Sequence, residues 1–345
     1  LNKSFFICEN INQAVKESEY IFFCVGTPYG ENGQADLKYL YSAVENAIKA
    51  MKSINDGKFR VLIIKSTIPP STTTEKIFPF IESHGLKVGK DVGLANNPEF
   101  LREGFCWEDF TNPDRIVIGT EEDRTKHMLE SLYKPFNAPI FTVNYNTGEF
   151  IKYLSNTLLA TLISYSNEMS LIADKIGEID VANSFRILHM DKRLSGSKIA
   201  SYIYPGCGYG GYCLPKDTNA IYALTKNKGF DPLILKNVIE TNDKISDFIC
   251  RKVMEKANKN DRIGILGLSF KPNSDDVRDT PAIKIIRNLK KNGYENICAY
   301  DPIAIQEFKK HYPDVNVDYL NSYEDIINES KLLVIVTLEM IEVCL

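Results

Sequence analysis

The sequence has little that would point to a membrane, a nucleic acid or a disulfide scaffold. Its net charge is only −4, with both signs interspersed, which argues against a nucleic-acid or membrane footprint. No apolar run approaches a membrane span, and no basic segment followed by an apolar stretch marks export. Its four histidines lack metal-ligand spacing and its eight cysteines form no CxxC pair, which favours a reducing cytosol. We therefore expect a cytoplasmic protein that binds no metal, nucleic acid or membrane.

The length and the two ends of the chain set its expected organisation. At 345 residues the chain exceeds what one hydrophobic core usually serves, so two or three domains are expected. The sequence begins with Leu1 and not with Met, and it ends on an apolar, strand-like run over 332–345. We therefore expect a fragment of a longer protein, cut at both ends.

Short apolar runs alternate with helical patterns in the first and last parts of the chain. These runs predict strands at 20–25, 60–67, 91–95, 114–118, 262–270, 295–302 and 332–337. The helical patterns cover 36–51, 147–175, 180–188, 216–228 and 232–257. The sequence therefore predicts an α/β protein with two parallel sheets, separated by a helical middle third that contains one long helix.

A glycine fingerprint for a dinucleotide is missing where it would be expected. No GxGxxG follows the first predicted strand, and Gly264 and Gly267 form only a weak Gly-x-x-Gly. Ligands of parallel sheets bind beyond the carboxyl ends of the strands, so the loops at 26–28, 66–67 and 97–99 are candidates. If the first domain binds a dinucleotide, its phosphate loop must lie upstream of Leu1.

The most informative stretch runs from Tyr204 to Asp217, YPGCGYGGYCLPKD. Its four glycines predict a tight turn with positive φ angles and a backbone that approaches a bound ligand closely. Pro215 suits a first helical turn, and a Cys213 thiol beside a helix start and the Lys216 cation should have a lowered pKa. The alternative is a glycine-rich loop over a buried, inert cysteine.

Polar residues at two other places could also take part in chemistry. Glu99 and Glu103 flank Arg102 after a predicted strand and could act as general bases or bind hydroxyls; the alternative is a solvated loop with capping acids. Lys152 and Asn156 lie four apart on the long helix and share one face. They could donate to an oxyanion, or they could be part of an exposed polar stripe.

A third candidate is the basic pair Lys271 and Arg278, just past a predicted strand. Two cations at this position would suit a phosphate or pyrophosphate. The alternative is a solvated loop with salt bridges to its acidic residues, which are Asp275, Asp276 and Asp279.

With these motifs in order, the chain resembles the UDP-glucose/GDP-mannose dehydrogenase family across nearly its whole length. The motifs that carry the resemblance are VGTP at 25–28, KSTIPPSTT at 65–73, NPEFLREG at 97–104, IKYLSN at 151–156, GYGGYCLPKD at 208–217 and LGLSFKPNSDDVRDTPA at 266–282. The departures from the family are the missing start, which there carries the GxGxxG, and the missing C-terminal end.

The resemblance implies a fold and an activity. The fold would have two Rossmann-like domains: an NAD domain at 1–145, a central helical domain at 146–257 and a UDP-sugar domain at 258–345. The activity would be two successive NAD-dependent oxidations of a sugar nucleotide's primary alcohol to a carboxylate, through an adduct on Cys213. We also expect a homodimer, because the long helix should expose an apolar face that two copies bury.

The resemblance further assigns roles to individual residues. The catalytic set is Cys213, Lys152, Asn156, Asp217, Glu99 and Thr67. The NAD-binding set is Thr27, Pro28, Thr67, Glu103, Lys216 and Arg278. The substrate-binding set is Phe100, Leu101, Lys152, Asn156, Arg193, Tyr204, Gly208, Gly210, Gly211, Phe270 and Lys271.

Several alternatives remain open at the level of the sequence. Arg193 matches a family arginine that contacts substrate across a subunit boundary, but the spacing is a few residues longer than usual and Lys198 could take its place. The sequence motifs around Glu99 and Cys213 favour UDP-glucose as the substrate over GDP-mannose or a UDP-aminosugar. A sugar-nucleotide-binding protein without turnover is a competing function, and a cysteine hydrolase is disfavoured because no motif places a histidine to activate the thiol.

Overall fold

The structure, a computed structural model, describes residues 5–30 and 33–337. The chain divides into two compact units, Leu1–Ser155 and Asn156–Leu345. Leu1 and the end of the apolar C-terminal run, on which the expectation of cut ends was based, lie outside the described residues. No helix in the described ranges, the long one included, is both long and apolar enough to cross a bilayer.

The first unit is a five-stranded sheet with helices on both faces. In chain order its elements are α1 (Ile11–Glu17), β1 (Tyr20–Phe23), α2 (Lys38–Ile54), β2 (Arg60–Ile64), a π-helical turn (Thr73–Ile77) continuing into α3 (Phe78–Ser83), β3 (Val92–Asn96), α4 (Cys106–Thr111), β4 (Ile116–Gly119), α5 (Asp123–Tyr133) and β5 (Ile140–Val143). The strand order is β1-β2-β3-β4-β5. Alternate residues of the buried strand β2 pack on opposite faces of the sheet: Leu62 and Ile64 under α2 and Val61 and Ile63 under α5.

The sheet differs from the prediction in three respects. Strands β1, β2 and β3 are parallel as expected, but β4 pairs antiparallel with β3 and parallel with β5. The strand β5 was not predicted, because this edge strand is only half-buried and four residues long, so it lacks a continuous apolar run. The strand ends also differ: those predicted at 20–25 and 60–67 end earlier, at Phe23 and Ile64, whereas those predicted at 91–95 and 114–118 end one residue later.

The second unit contains the helical middle of the chain and a four-stranded parallel sheet. The long helix α6 (Tyr145–Ile176) begins in the first unit and is followed by α7 (Val181–Leu188), α8 (Cys213–Asn227), α9 (Leu233–Lys256), β6 (Ile263–Leu266), α10 (Pro281–Lys291), β7 (Ile297–Tyr300), α11 (Ile305–His311), β8 (Asp318–Tyr319), α12 (Tyr323–Glu329) and β9 (Leu332–Ile335). The strand order is β8-β7-β6-β9. The long helix and both α/β regions are confirmed, whereas the two-residue strand β8 was not predicted.

Helix boundaries in this unit follow local chemistry. Thr280 caps α10 by accepting the Ala282 N–H on its hydroxyl, and Pro281 occupies the first helical position. Helix α10 then packs its apolar stripe, which includes Ile285 and Ile286, into the core formed with β6 and α9.

A buried carboxylate links the first turn of α6 to the segment that follows β2. Glu149 is 3% exposed, and its Oε1 accepts the Thr73 N–H at 2.7 Å and the Thr73 hydroxyl at 2.6 Å. Burial raises the pKa of Glu149 to about 7, against the opposing effect of the Thr73 donors. The amides at the start of the π-helical turn are therefore satisfied by a side chain that titrates near neutrality.

We predict that Glu149→Gln flattens the pH dependence of stability. The Glu149 carboxyl has a higher pKa in the folded than in the unfolded chain. Its contribution to the free energy of unfolding is therefore fully present below about pH 4.5 and is lost as pH rises through about 7. The unfolding free energy of the variant, relative to wild type, should rise by up to roughly 3 kcal/mol between pH 4 and 8. Urea denaturation across this range measures it. The exposed control Glu82→Gln should run parallel to wild type, and parallel behaviour of Glu149→Gln would contradict the prediction.

Candidate functional site

A glycine-rich loop precedes α8 in the second unit and is fastened to α9. Both Gly208 and Gly211 have positive φ angles, 98° and 76°, as predicted for a tight turn. The buried Asn242 side chain bridges the loop backbone, because its Oδ1 accepts the Tyr209 N–H at 2.7 Å and its Nδ2 donates to the Tyr209 carbonyl at 3.0 Å. The loop therefore has one defined conformation in front of the helix.

The glycines of this loop are required by the protein's own close packing. A Cβ on Gly210 would lie 2.4 Å from the Asp279 carbonyl oxygen, and one on Gly211 would lie 2.8 Å from the Phe270 ring. A Cβ on Gly208 would likewise lie 2.7 Å from Asn242 Oδ1. These contacts require glycine at the three positions independently of the ligand approach that the sequence predicts, which stays a prediction.

Cys213 is the first residue of α8 and is exposed. The helix begins three residues earlier than predicted, so Pro215 lies in its first turn and the thiol is attached directly to the helix start. The buried, inert alternative for Cys213 is therefore wrong. The other thiol of the stretch differs, because burial raises the pKa of Cys207 to about 12 and keeps that sulfur protonated at neutral pH.

Three buried polar side chains meet one helical turn beyond the thiol. Asp217 is 1% exposed; one of its oxygens accepts from Asn156 Nδ2 at 2.6 Å and the other from Lys216 Nζ. A buried carboxylate needs polar partners, and this amide and ammonium supply them to both oxygens of Asp217. Asn156 is 7% exposed, so the exposed-stripe alternative for this residue is wrong. The Lys216 ammonium points to Asp217.

An ion pair in the first unit joins the loop after β3 to α6. Lys152 is 5% exposed, which rules out the exposed-stripe alternative for this residue also. Its Nζ lies 2.8 Å from Glu99 Oε1, and the second oxygen of Glu99 accepts the Leu101 N–H at 2.7 Å. The ring of Phe100 lies under Arg115, 4.0 Å from the guanidinium carbon. Glu99 is thus fixed at both oxygens and stays partly open to solvent.

Arg102, which the sequence places beside Glu99 and Glu103, also pairs with a carboxylate of α4. Its guanidinium bonds both oxygens of Asp109, at 2.7 and 2.9 Å. Glu103 is partly exposed on the same loop.

The loops after β1 and β2 are tied together at the carboxyl edge of the sheet. The buried Thr27 donates its hydroxyl to the Thr67 carbonyl at 2.9 Å, and Ser66 donates to the Val25 carbonyl at 2.6 Å. No atom lies within 4 Å of where a Cβ on Gly26 would be, so a ligand can approach this backbone. The next residue after Thr27 is Pro28, which has no N–H to satisfy. These loops fit one part of a dinucleotide, whereas the described residues between β1 and α2 form no glycine-rich pyrophosphate loop.

The remaining predicted residues lie in surface loops of the second unit. Arg193 is 87% exposed and bonds Asp191 at 2.5 Å, and Lys198 is also exposed, so the choice between them stays open. Arg278 bonds Asp276 at 2.5 Å and lies over the Tyr212 ring. This salt bridge agrees with the alternative prediction of a solvated loop in which a basic residue pairs with one of the loop's own acidic residues. The two other predicted residues also contact rings: Lys271 lies over Phe270, and Tyr204 packs on Phe185 and His189.

Three polar residues that support these sites were not singled out from the sequence. Lys65 directly follows the buried strand β2 and donates from Nζ to Asn97 Oδ1 at 2.8 Å. The Tyr133 hydroxyl donates to the same oxygen at 2.5 Å. A lysine that directly follows a run of buried aliphatic residues was a usable signal for Lys65, whereas Tyr133 and Asn242 act through contacts distant in sequence.

The fold and these groups narrow the class of protein. Parallel strands that end in loops open to a ligand are the framework of dinucleotide-binding enzymes. Hydride transfer to a dinucleotide also requires groups that accept a proton and hold a charged oxygen, and both units supply such groups. The chain falls in the class of dinucleotide-dependent dehydrogenases.

Comparison with known proteins gives the family. Residues 1–137 match the NAD binding domain of the UDP-glucose/GDP-mannose dehydrogenase family, residues 146–244 its central domain and residues 264–340 its UDP binding domain. The UDP-glucose 6-dehydrogenase of Rickettsia bellii is 35% identical over 332 residues, covering 94% of this chain and 73% of the relative. That of Bacillus subtilis is 36% identical, covering 94% and 71%.

Solved structures support the same family. A UDP-glucose dehydrogenase from Pyrobaculum islandicum superposes with a TM-score of 0.87 at 32% identity, covering 96% of this chain and 74% of that one. A UDP-D-ManNAc dehydrogenase from Pyrococcus horikoshii gives 0.78 at 28% identity, covering 94% and 72%. The chain therefore belongs to the UDP-glucose/GDP-mannose dehydrogenase family, and NAD is its cofactor.

We predict that two alanine substitutions in the loop before α8 differ sharply in effect. Gly210→Ala places a Cβ against the Asp279 carbonyl and should lower the unfolding free energy by about 1–3 kcal/mol. Gly206→Ala is the matched control, since no atom lies within 4 Å of its Cβ position, and it should change stability by less than about 0.5 kcal/mol. Urea denaturation measures both; equal effects would show that packing does not dictate the glycine at 210.

Proposed function

We propose that this chain oxidises UDP-glucose to UDP-glucuronate with two molecules of NAD⁺, and that Cys213 carries the intermediate. In the first step the C6 alcohol gives a hydride to NAD⁺ and a proton to a base, and an aldehyde forms. The thiol of Cys213 then adds to the aldehyde. This adduct gives a second hydride to NAD⁺ and its hydroxyl proton to a base, and so becomes a thioester. Water then cleaves the carbon–sulfur bond, which leaves the carboxylate, the thiol and a proton that passes to a base.

The observation that carries the proposal is the exposed Cys213 at the start of α8. A thiol at a helix N-terminus is favoured as its thiolate, and a covalent adduct retains the aldehyde between the two hydride transfers. Cys207, in the same stretch, is a poor alternative because burial raises its pKa to about 12. We therefore assign the nucleophile to Cys213.

The buried polar group at the start of α8 suits the oxygen that becomes charged during these steps. Asn156 has a second amide proton beyond the one that bonds Asp217, and we assign it to hold the substrate oxygen. Asp217 orients this amide through the 2.6 Å hydrogen bond and, with Lys216, keeps the local charge balanced. In this role the amide acts as a preorganised donor.

We assign the acid and base work to Glu99 and the oxyanion stabilisation to Lys152, together with Asn156 one turn further along α6. Glu99 is held by Lys152 and by the Leu101 N–H, which leaves it oriented but partly open to water. In the thioester hydrolysis, Glu99 accepts a proton from the attacking water. Thr67 follows β2 and is assigned to the neighbourhood of the reacting carbon and the cofactor.

Cofactor and substrate contacts are proposed on the family resemblance and on position. Residues assigned to NAD are Thr27, Pro28, Thr67, Glu103, Lys216 and Arg278. Those assigned to the substrate are Phe100, Leu101, Arg193, Tyr204, Gly208, Gly210, Gly211, Phe270 and Lys271. We also propose three domains, at 1–145, 146–257 and 258–345, and a cytoplasmic location, which the seven described cysteines support because they form no disulfide.

Replacing the nucleophile tests the mechanism. Wild type should form two NADH per UDP-glucose, followed at 340 nm with the sugar nucleotide limiting, and should prefer UDP-glucose over GDP-mannose and UDP-N-acetylmannosamine. Cys213→Ser should lose net conversion to UDP-glucuronate by at least roughly 10³-fold, because the oxygen adduct cannot be carried efficiently through the second oxidation. The control Cys207→Ser should retain the two-to-one stoichiometry. Full turnover by Cys213→Ser would overturn the assignment, and preference for another sugar nucleotide would change the substrate.

We further propose that the protein is a homodimer held by α6. Several large apolar side chains of this helix are exposed and lie on one face, among them Leu158, Tyr165, Met169, Ile172 and Ile176. A continuous apolar face of this length on a helix is typical of a surface that a second copy covers.

Charge placed on that face should separate the subunits. Ile172→Glu would bury an unpaired carboxylate in the dimer, at a cost of several kcal/mol, so the variant should sediment as a monomer at micromolar concentration while wild type sediments as a dimer. Lys291→Glu, on the exposed end of α10, makes a comparable surface change and should remain dimeric. Analytical ultracentrifugation decides this, and a dimeric Ile172→Glu variant would place the interface elsewhere.

A further inference from the structure

The side chain of Lys65 contacts the loop that carries Glu99, yet the roles assigned above leave it unused. Lys65 follows β2, where its backbone N–H still donates to the Phe23 carbonyl at 3.0 Å. Its ammonium lies 2.8 Å from Asn97 Oδ1. Lysine side chains are usually exposed to solvent. The Lys65 side chain is instead held in place by its hydrogen bond to Asn97.

Asn97 is fixed on all sides. It is 2% exposed, and its Oδ1 accepts from Lys65 and from the Tyr133 hydroxyl at 2.5 Å. Its Nδ2 donates to the Val117 carbonyl at 2.7 Å, and its backbone N–H donates to the Ile64 carbonyl at 2.9 Å. Every strong hydrogen-bonding direction of this side chain that faces β2, β4 and α5 is therefore in use.

The orientation of Asn97 is transmitted to Glu99 through Pro98. The pyrrolidine ring fixes its own φ near −65°, and it restricts the backbone of the residue before it. The segment from 97 to 99 therefore has little freedom once the Asn97 side chain is fixed. At its far end, Glu99 meets Lys152 at 2.8 Å and the Leu101 N–H at 2.7 Å.

The charged groups around Lys65 also link it to Glu99. Burial lowers the pKa of the Lys65 ammonium to about 8 and the Lys152 ammonium adds to this effect, while the Glu99 carboxylate opposes it. The ionisable groups around Lys65 are Cys24 after β1, Glu99 after β3, Tyr133 on α5 and Lys152 on α6. Glu99 therefore lies in the field of two ammonium groups, of which only Lys152 touches it.

We propose that Lys65 is a positioning residue, which holds Glu99 in its working orientation through Asn97 and adds a second positive charge beside the Glu99 carboxylate. This inference rests on the proposed function for the role of Glu99, but the contacts that define it do not. Lys65 touches no reacting atom in this account; it acts through Asn97 and through its charge.

The first test separates positioning from general stability. In Lys65→Met the aliphatic stem is kept and the ammonium is lost. We expect kcat to fall by roughly 10- to 100-fold with the KM values for NAD and UDP-glucose within about 3-fold of wild type. The acid limb of the pH profile should move to higher pH, since the loss of a nearby cation raises the pKa of a carboxyl group. Lys52→Met is the matched control, because Lys52 also donates to a single carbonyl, that of His84, at 3.0 Å.

The second test needs no activity. The Leu101 N–H donates to Glu99 Oε2, so its hydrogen exchange reports whether Glu99 stays in place. Exchange of this amide should accelerate by about 10-fold or more in Lys65→Met and stay unchanged in Lys52→Met. Tyr133→Phe removes the other donor to Asn97 without removing charge; it should accelerate the exchange of Leu101 but leave the acid limb of the pH profile where it is.

The outcomes are distinguishable. If wild type forms no NADH from UDP-glucose, the proposed function is wrong and the exchange of Leu101 alone decides on Lys65. If Lys65→Met does not fold, Tyr133→Phe decides through the same amide. Lys65 has no positioning role if Lys65→Met matches Lys52→Met in kcat, in the acid limb and in the exchange of Leu101.

Discussion

The structure around the candidate site depends on the pairing of buried charge along one side of α6. A charged or amide side chain that is removed from water is stable only with a partner of matching polarity. Lys152 has Glu99, and Asn156 has Asp217, which in turn holds Lys216. These pairs fix the loop after β3 in one unit and the start of α8 in the other. The requirement to satisfy buried polar groups thus orders the residues to which we assign the chemistry.

Each unit also contains a buried polar side chain that supports its own candidate functional residues and to which we assign no chemistry. In the first unit, the start of the π-helical turn rests on the buried Glu149. In the second unit, Asn242 fastens the loop before α8. Both supports lie far in sequence from what they hold, and both replace solvent by a side chain that satisfies the backbone. Rigid support of this kind is what keeps functional groups oriented before a ligand arrives.

The cysteines of the loop illustrate how environment, not residue type, decides chemistry. Cys207 and Cys213 lie six residues apart in the same glycine-rich stretch. Burial raises the pKa of the Cys207 thiol, whereas Cys213 is exposed at the start of α8. This difference supports the mechanism that we propose, in which the two-step oxidation uses one thiol that is accessible and able to ionise.

The sequence by itself determined the α/β class, the long helix and the motifs around Glu99, Lys152 and Cys213, because apolar periodicity and local turn chemistry are written in neighbouring residues. It could not determine that Lys152 and Asn156 are buried, or that a glycine such as Gly210 is needed against the Asp279 carbonyl. Nor could it give the antiparallel direction of β4 relative to β3, or the hydrogen bonds that hold the Asn97 side chain. Those features depend on which distant segments meet, and contact between residues far apart in the chain is decided only when the tertiary structure forms.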